Sequence, residues 1–456
     1  MPESTAFDDN FLREMNARQL WHPMAHPADS QANLPVILKS GRGVHVTDID
    51  GHETIDAVGG LWNVNLGYSC EPIKQAMADQ LADLPYANIF RGVSNDKVIQ
   101  LAHEVVDFFA ADGAVRAFFT SGGSDSVETA LRLARQYHKV NGEPSRTKFI
   151  SLKKGYHGTH FGGASINGNA NFRTQYEPLL AGCFHIPAPY TYRNPFNETD
   201  PAALAKACAA MLRDEIAFQG PGTIAAFIME PILGAGGVIP PHESFMPMVR
   251  EICDQNGILL IADEVITGFG RTGAWSGSRL WGVKPDMMCT AKAITSGYFP
   301  LGAVMINDRI ANAFENDSSG KASIGHGYTY SGHPVGAAAA LAALEETKRL
   351  NVVANAAKRG TQLFEGMCVL ADRYEIIGDV RGGHGLMTAM ELVADRDSKA
   401  PANPALGLTL QKAAYKAGAL IRVSGPNVIL SPSLIISEDE IDVVLGAVEE
   451  GLKAIN

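Results

Sequence analysis

Positive charge is in short supply in this 456-residue chain. Its 38 Lys and Arg stand against 49 Asp and Glu, a net charge of −11, which repels a polyphosphate backbone and excludes nucleic acid as the main partner. Cysteine is also sparse. The six at positions 70, 183, 208, 253, 289 and 368 form no C-x-x-C pair and no cluster, which excludes a disulfide framework and a zinc site and points to reduced thiols in the cytoplasm. No apolar run approaches the ~20 residues of a membrane span, so no membrane partner is expected. The opening MPESTAFDDNF is acidic where a signal or transit peptide would be basic. Neither a low-complexity linker nor a repeat of about 20 to 50 residues is visible.

What is abundant is apolar residues, 46% against 19% charged, the balance of a chain that folds throughout. Glycine is plentiful too. Its 46 residues exceed the usual ~7% and imply many tight turns or close backbone approaches to a ligand. The pattern predicts an α/β protein in three stretches. Residues 1–64 open with a polar arm and continue as short strand-like runs at 35–38 and 43–47, with a turn at Asp48-Ile49-Asp50-Gly51. Residues 65–334 alternate short apolar runs with helix-length segments, the signature of βαβ units and a mostly parallel sheet. Four runs stand out, at 115–120, 223–229, 258–262 and 287–291. A helix is predicted over 245–256, where Phe245, Val249, Ile252 and Cys253 recur at helical spacing and Gly257 follows as a cap. Residues 335–456 carry an Ala-rich helix over 334–349, a strand-like piece at 380–392, strands in 419–432 and a terminal amphipathic helix. With the first stretch they form a smaller α+β domain.

Ligands of open parallel sheets bind beyond the carboxyl ends of the strands, so the first polar residue after each run is informative. Three runs deliver Glu230, Asp263 and Lys292, with separations of 33 and 29 residues that suit one βαβ unit each. Taken singly, any of them is more often part of a structural ion pair. The remaining run is followed by Ser121-Gly122-Gly123-Ser124-Asp125-Ser126 and then Val127, Leu131, Ala134 and Tyr137 at helical spacing. This is a strand, a glycine turn and a helix start, a cradle for a phosphate. It is neither a dinucleotide fingerprint nor a Walker A loop. A phosphate loop, a strand-end aspartate and a strand-end lysine together suit pyridoxal 5′-phosphate. The lysine amine condenses with its aldehyde, the carboxylate keeps the ring nitrogen protonated, and the helix start holds the phosphate.

The chain resembles the class III, ω-amino acid type, PLP-dependent aminotransferases of fold type I over nearly its whole length. The resemblance rests on Ile261-Ala262-Asp263-Glu264-Val265-Ile266-Thr267-Gly268-Phe269-Gly270-Arg271-Thr272-Gly273, Ala291-Lys292-Ala293, Leu61-Trp62-Asn63-Val64-Asn65-Leu66-Gly67, Gly155-Tyr156-His157-Gly158, Glu230-Pro231-Ile232-Leu233-Gly234-Ala235-Gly236-Gly237 and His326-Gly327-Tyr328-Thr329-Tyr330-Ser331-Gly332-His333-Pro334. It implies a large domain with a mostly parallel seven-stranded sheet and a smaller α+β domain built from both ends of the chain. By position it makes Lys292 the Schiff-base lysine and proton carrier, and Asp263 the partner of the ring nitrogen. Val265 and Tyr156 would flank the ring, with His157 and Glu230 beside it and Gly122, Gly123 and Ser124 on the phosphate. Thr329 would reach the phosphate of a neighbouring subunit in a homodimer with shared sites, or in a tetramer. Trp62, Phe90 and Tyr156 would line the substrate pocket with Ala235 and Arg422.

Departures narrow the expectation. Ile266 stands where many members have a glutamine, and Ala235 where α-amino-acid and ornithine members carry a glutamate that pairs with an arginine near the C-terminus. Both resemble the ω-amino acid:pyruvate branch, so the expected partners are an amine donor and a keto-acid acceptor. A mutase or decarboxylase of the same fold is the alternative. His157 and His160 lack a third ligand, so no metal is expected. The pair Lys153-Lys154 reads as a solvated face.

Overall fold

The computed structural model describes residues 8–456; the first seven residues of the acidic opening lie outside the described residues. The largest sheet has seven strands in the spatial order Ala114–Thr120, Gly302–Asn307, Met287–Thr290, Leu259–Asp263, Ile224–Met229, Lys148–Leu152 and Cys183–Ile186. The last five pair in parallel. Gly302–Asn307 runs antiparallel to both of its neighbours, so Ala114–Thr120 again points the same way as the parallel set. The carboxyl ends of four strands, at Thr120, Met229, Asp263 and Thr290, therefore meet along one edge.

Every residue of Ile224–Met229 and of Leu259–Asp263 is buried, because helices cover both faces of the sheet and alternation would strand polar groups. One face, with Ile228, Ile261, Cys289 and Val304, packs on Val127, Leu131 and Ala134 of the helix Gly123–Val140. The opposite face, with Phe227, Leu260, Ala262 and Met288, packs on Leu204 of Pro201–Gln219 and on Phe245, Val249 and Ile252 of Phe245–Asn256. The latter helix ends where Gly257 adopts φ 66°, a left-handed turn that costs glycine little.

A second core joins the two ends of the chain. Leu38–Arg42, His45–Asp48 and Glu53–Asp56 form an antiparallel sheet that Ala419–Leu420 extends by pairing in parallel with Glu53–Asp56. Val44 and Ile55 share their buried cluster with Leu363, Ile421, Leu430 and Ile441. Past Leu420 the chain leaves this sheet and enters another, ordered Ile377–Arg381, Thr388–Asp395, Asn427–Leu430, Arg422–Ser424. The single strand expected at 380–392 is thus a hairpin, folded at Gly382, Gly383 and Gly385, all with positive φ. The Ala-rich helix Pro334–Arg349 matches its expectation and buries Ala337, Ala339, Ala340 and Ala343. Its Gly336 lets it approach the large domain, since a Cβ there would lie 2.7 Å from Cδ1 of Phe299.

Candidate active site

Thr120 is followed by the turn that opens Gly123–Val140, and no side chain caps the start of that helix. Its first N–H groups have no acceptor within the helix and sit at the wall of a cavity of about 400 Å³. Gly122, Gly123, Ser124, Tyr156, His157, Glu230, Asp263, Val265 and Lys292 all line it. The seam is tight. A Cβ on Gly123 would lie 3.0 Å from Cγ1 of Val265, and one on Gly158 would lie 2.6 Å from Oγ of Ser124, so the glycines let the loop close against the strand end.

Asp263 and Glu264 are neighbours with opposite fates, because successive side chains leave a strand on opposite faces. Glu264 turns away and is saturated by the hydroxyl of Thr267 at 2.5 Å, the N–H of Gly277 at 2.9 Å, and the N–H and hydroxyl of Ser278, both at 2.6 Å. These bonds shape the connection between Leu259–Asp263 and Met287–Thr290. That connection contains only the four-residue helix Gly277–Leu280, so the full crossover helix expected between Asp263 and Lys292 is absent. Asp263 faces the cavity. Its Oδ1 accepts from the N–H of Val265 at 3.2 Å, and its Oδ2 lies 2.8 Å from Nδ1 of His157. His157 is fixed in turn, its backbone N–H donating to Oδ1 of Asn167 at 2.5 Å.

Lys292 follows the strand Met287–Thr290 by two residues and adopts φ 49°. A non-glycine residue held there carries about 1 to 3 kcal/mol of strain, which persists where the surroundings overdetermine the conformation, as at functional sites. Burial brings its ammonium down to about 8, against the pull of Asp263 and Glu230. Glu230 accepts from the N–H of Tyr156 at 2.9 Å and of Gly234 at 2.8 Å. Burial pushes its carboxyl up to about 7, with His157 opposing and Asp263 reinforcing the shift.

A second cavity of about 870 Å³ holds Ala235 and Arg422 together, with Met24, Phe161, Phe172 and Val423 among its apolar walls. The ring of Tyr156 lies 5.0 Å from that of Phe172, and the charge of Arg422 is felt at both Tyr156 and Lys292. Among the described residues no carboxylate pairs with Arg422, whose ionisation burial lowers.

Three expected residues stand apart. Trp62 is 2% exposed in the main core, and its neighbour Asn63 takes the place on the cavity wall. Phe90 is half exposed on a different face, where a Cβ on Gly327 would touch its ring at 3.1 Å. Thr329 is exposed beside it, its carbonyl accepting from the hydroxyl of Tyr86 at 2.9 Å. Neither lines either of these two cavities. Lys154 also departs from expectation. Lys153 is exposed, but Lys154 is drawn in over the ring of Tyr190, 5.1 Å from its centre. Sequence reasoning overlooked Phe299, which the approach of Gly336 presses onto the cavity wall.

The residues fit pyridoxal 5′-phosphate on chemical grounds: an uncapped helix start for the phosphate, a buried carboxylate for the ring nitrogen, and a lysine whose amine is uncharged at mildly alkaline pH. With the strand-end placement of the sheet, they define a PLP-dependent enzyme. The aminotransferase class-III family matches residues 27–452, and the chain belongs to it. An amine transaminase from an uncultivated Pseudomonas species, solved in its PLP-bound form, is 46% identical, with a TM-score of 0.94 over 96% of this chain and 99% of that one. The putrescine–pyruvate aminotransferase of Pseudomonas aeruginosa is 36% identical over 89% of this chain and 88% of its own length. The diaminobutyrate–2-oxoglutarate transaminase of Halomonas elongata is 35% identical, with 97% and 96% covered. The chain is therefore an aminotransferase that takes an amine donor and a keto-acid acceptor, with PLP as cofactor. Among the described residues, no group of His, Cys, Asp and Glu could hold a metal, and no helix is long and apolar enough to cross a membrane.

Proposed function

We propose that the donor is an ω-amino acid or primary amine, of the β-alanine, taurine or γ-aminobutyrate kind, and that the acceptor is pyruvate. The observation that carries this reading is Arg422, the one arginine on the walls of the two cavities, unpaired and beside Ala235. One guanidinium matches one carboxylate bidentately. Pyruvate has one. The second carboxylate of 2-oxoglutarate would find no arginine on those walls. A donor without a carboxylate would leave a rigid, half-buried cation unpaired at a cost, but Arg422, with no carboxylate holding it, swings toward solvent instead.

PLP, when bound, would supply an electrophilic carbonyl and an electron sink. Around it the chain's own groups divide the work. Gly122, Gly123 and Ser124 bind the phosphate through backbone N–H groups. Val265 and Tyr156, both on the cavity wall, would hold the ring. Asp263, oriented by His157, holds the proton on the ring nitrogen, and Glu230 fixes Tyr156 and Gly234 through their N–H groups. Nζ of Lys292 would bond to the cofactor and, once released, accept and return a proton. Phe90, Thr329, Tyr86 and Tyr330 share an exposed face, which supports a homodimer in which Thr329 and Phe90 complete the neighbour's site. Cysteines that are all free support action in the cytoplasm.

The test is a panel of amine donors against pyruvate and 2-oxoglutarate, each half-reaction followed by the cofactor spectrum. Donor alone is expected to stop at the pyridoxamine form until pyruvate is added. Release of carbon dioxide from donor alone would indicate a decarboxylase. Equal use of both acceptors would remove the argument from Arg422. Arg422→Ala is expected to raise KM for pyruvate by about one to two orders of magnitude, the scale of a lost charged hydrogen-bond pair.

A further inference from the structure

Among the described residues Arg422 has no side-chain partner, so its backbone decides where its guanidinium can reach. That backbone belongs to Arg422–Ser424, paired antiparallel with Asn427–Leu430 through Arg422 opposite Ile429 and Ser424 opposite Asn427. The other wall, carrying Ala235, is a turn closed by bonds from the N–H groups of Gly237 and Val238 to the carbonyl of Gly234, both 3.0 Å. Nothing in the local sequence of either segment fixes its distance from the other.

A third residue spans them. Arg381, 7% exposed at the end of Ile377–Arg381, donates from Nε to the carbonyl of Gly237 at 2.8 Å and from Nη2 to Oδ1 of Asn427. Its Nη1 is anchored behind by the hydroxyl of Tyr190 and by Asp379, each at 2.7 Å, and by Glu391 at 3.2 Å. Glu391 is itself tied to Tyr190 and to Arg193, the latter at 2.6 Å. The contact is snug on the loop side, since a Cβ on Gly237 would lie 3.0 Å from both Nη2 of Arg381 and Oδ1 of Asn427. The planar fork of an arginine can hold two acceptors at opposite ends, whereas the single ammonium of a lysine cannot.

We infer that Arg381 is a positioning residue for acceptor specificity: by bridging Gly237 and Asn427 it sets the separation of the Ala235 wall from the Arg422 hairpin. This rests on the reading of Arg422 as the carboxylate-binding residue. Arg381 lies on the walls of neither cavity.

The experiment is a double-mutant cycle on the holoenzyme, with the half-reactions of pyruvate and of benzylamine measured separately for Arg381→Lys, Arg422→Ala and the double variant. Arg381→Lys is expected to raise KM for pyruvate about tenfold, the scale of one hydrogen bond to a charged group. Its maximal half-reaction rate and its benzylamine half-reaction should change by less than about threefold. In the Arg422→Ala background the same change should add little, because coupled residues are non-additive. Asn427→Ala, which leaves Arg381 intact and cuts only the hairpin end of the bridge, should give a smaller rise of the same sign; it decides the matter if Arg381→Lys does not fold. Equal losses in the two half-reactions, or penalties that multiply in the double variant, would overturn the positioning role while leaving Arg422 as read. If Arg422→Ala left pyruvate untouched, the reading of Arg422 would fall and the role of Arg381 in acceptor binding with it.

Discussion

Nδ1 of His157 and Oδ2 of Asp263 lie 2.8 Å apart, both side chains almost wholly screened from solvent. The pair joins the loop after Lys148–Leu152 to the end of Leu259–Asp263, and with the N–H of Val265 on Oδ1 it engages both oxygens of the carboxylate. A carboxylate so held can keep a proton on the cofactor ring without reorganising during the reaction. Asp263→Asn replaces it with a neutral amide. The expected outcome is a loss of at least about two orders of magnitude in both half-reactions, with thermal stability little changed. An unchanged rate would take Asp263 out of the site.

Lys292 combines a strained backbone with an amine depressed to about 8. Both features suit a group that must be unprotonated to bond to a carbonyl and then accept a proton. Lys292→Ala is expected to fold, to bind the cofactor without a covalent link, and to show no measurable turnover. The check is borohydride reduction followed by intact mass. Cofactor mass retained on the variant would assign the bond to another lysine.

Two shifted groups give the apoenzyme a defined pH response. Glu230, raised from 4.5 to about 7 by burial, keeps its proton in the fold while the unfolded chain loses it. Its contribution to stability therefore falls as pH rises from about 4.5 to 7, by up to about 3 kcal/mol, while His185, lowered from 6.5 to about 4 by burial, contributes the opposite slope. Lys292, lowered from 10.5 to about 8, is the mirror case. The unfolded chain holds its proton where the fold does not, so its contribution to stability rises from about pH 8 toward 10.5. Substitution separates the two contributions, because other partly buried groups such as His185 and Cys183 shift in opposing directions over the same ranges. In thermal melts of the apoenzyme, Glu230→Gln should gain on the wild type progressively from about pH 4.5 to 7 while leaving the alkaline side unchanged.

The residues legible in the sequence are those fixed by local chemistry. Apolar runs ending in Asp263 and before Lys292 mark buried strands, and Gly257 and Pro334 mark helix ends, because periodicity and capping act over a few residues. Long-range arrangements left weaker traces. Gly302–Asn307 is as apolar as its neighbours, and nothing in its composition says that it enters the sheet antiparallel. Trp62 stands beside a cavity-wall residue in sequence, yet its size and the positive φ of its backbone turn it into the core. Arg381 carries no local signal at all. Apart from Asp379 in its own strand, its partners come from residues 190, 237, 391 and 427, which only the folded chain brings together.

The last prediction turns on the missing carboxylate at position 235. Ala235 and Arg422 line the same cavity from two facing segments, and the turn bearing Ala235 is rigid, tied by Glu230 at Gly234 and by Arg381 at Gly237. A glutamate placed there would extend from a fixed backbone toward an arginine that has no partner. The resulting half-buried pair would be charge-assisted, and pyruvate would then have to break it before binding. Ala235→Glu is accordingly expected to raise KM for pyruvate by about tenfold or more, with little effect on the maximal rate, since the lost interaction is one of binding rather than of the transition state. Uncharged amines should be spared, or favoured, because the new pair would keep the cation satisfied when no substrate carboxylate is present. Steady-state kinetics with benzylamine and pyruvate varied independently would separate the two effects. An unchanged KM for pyruvate would mean that position 235 does not reach Arg422, and that its alanine is a matter of space rather than of charge.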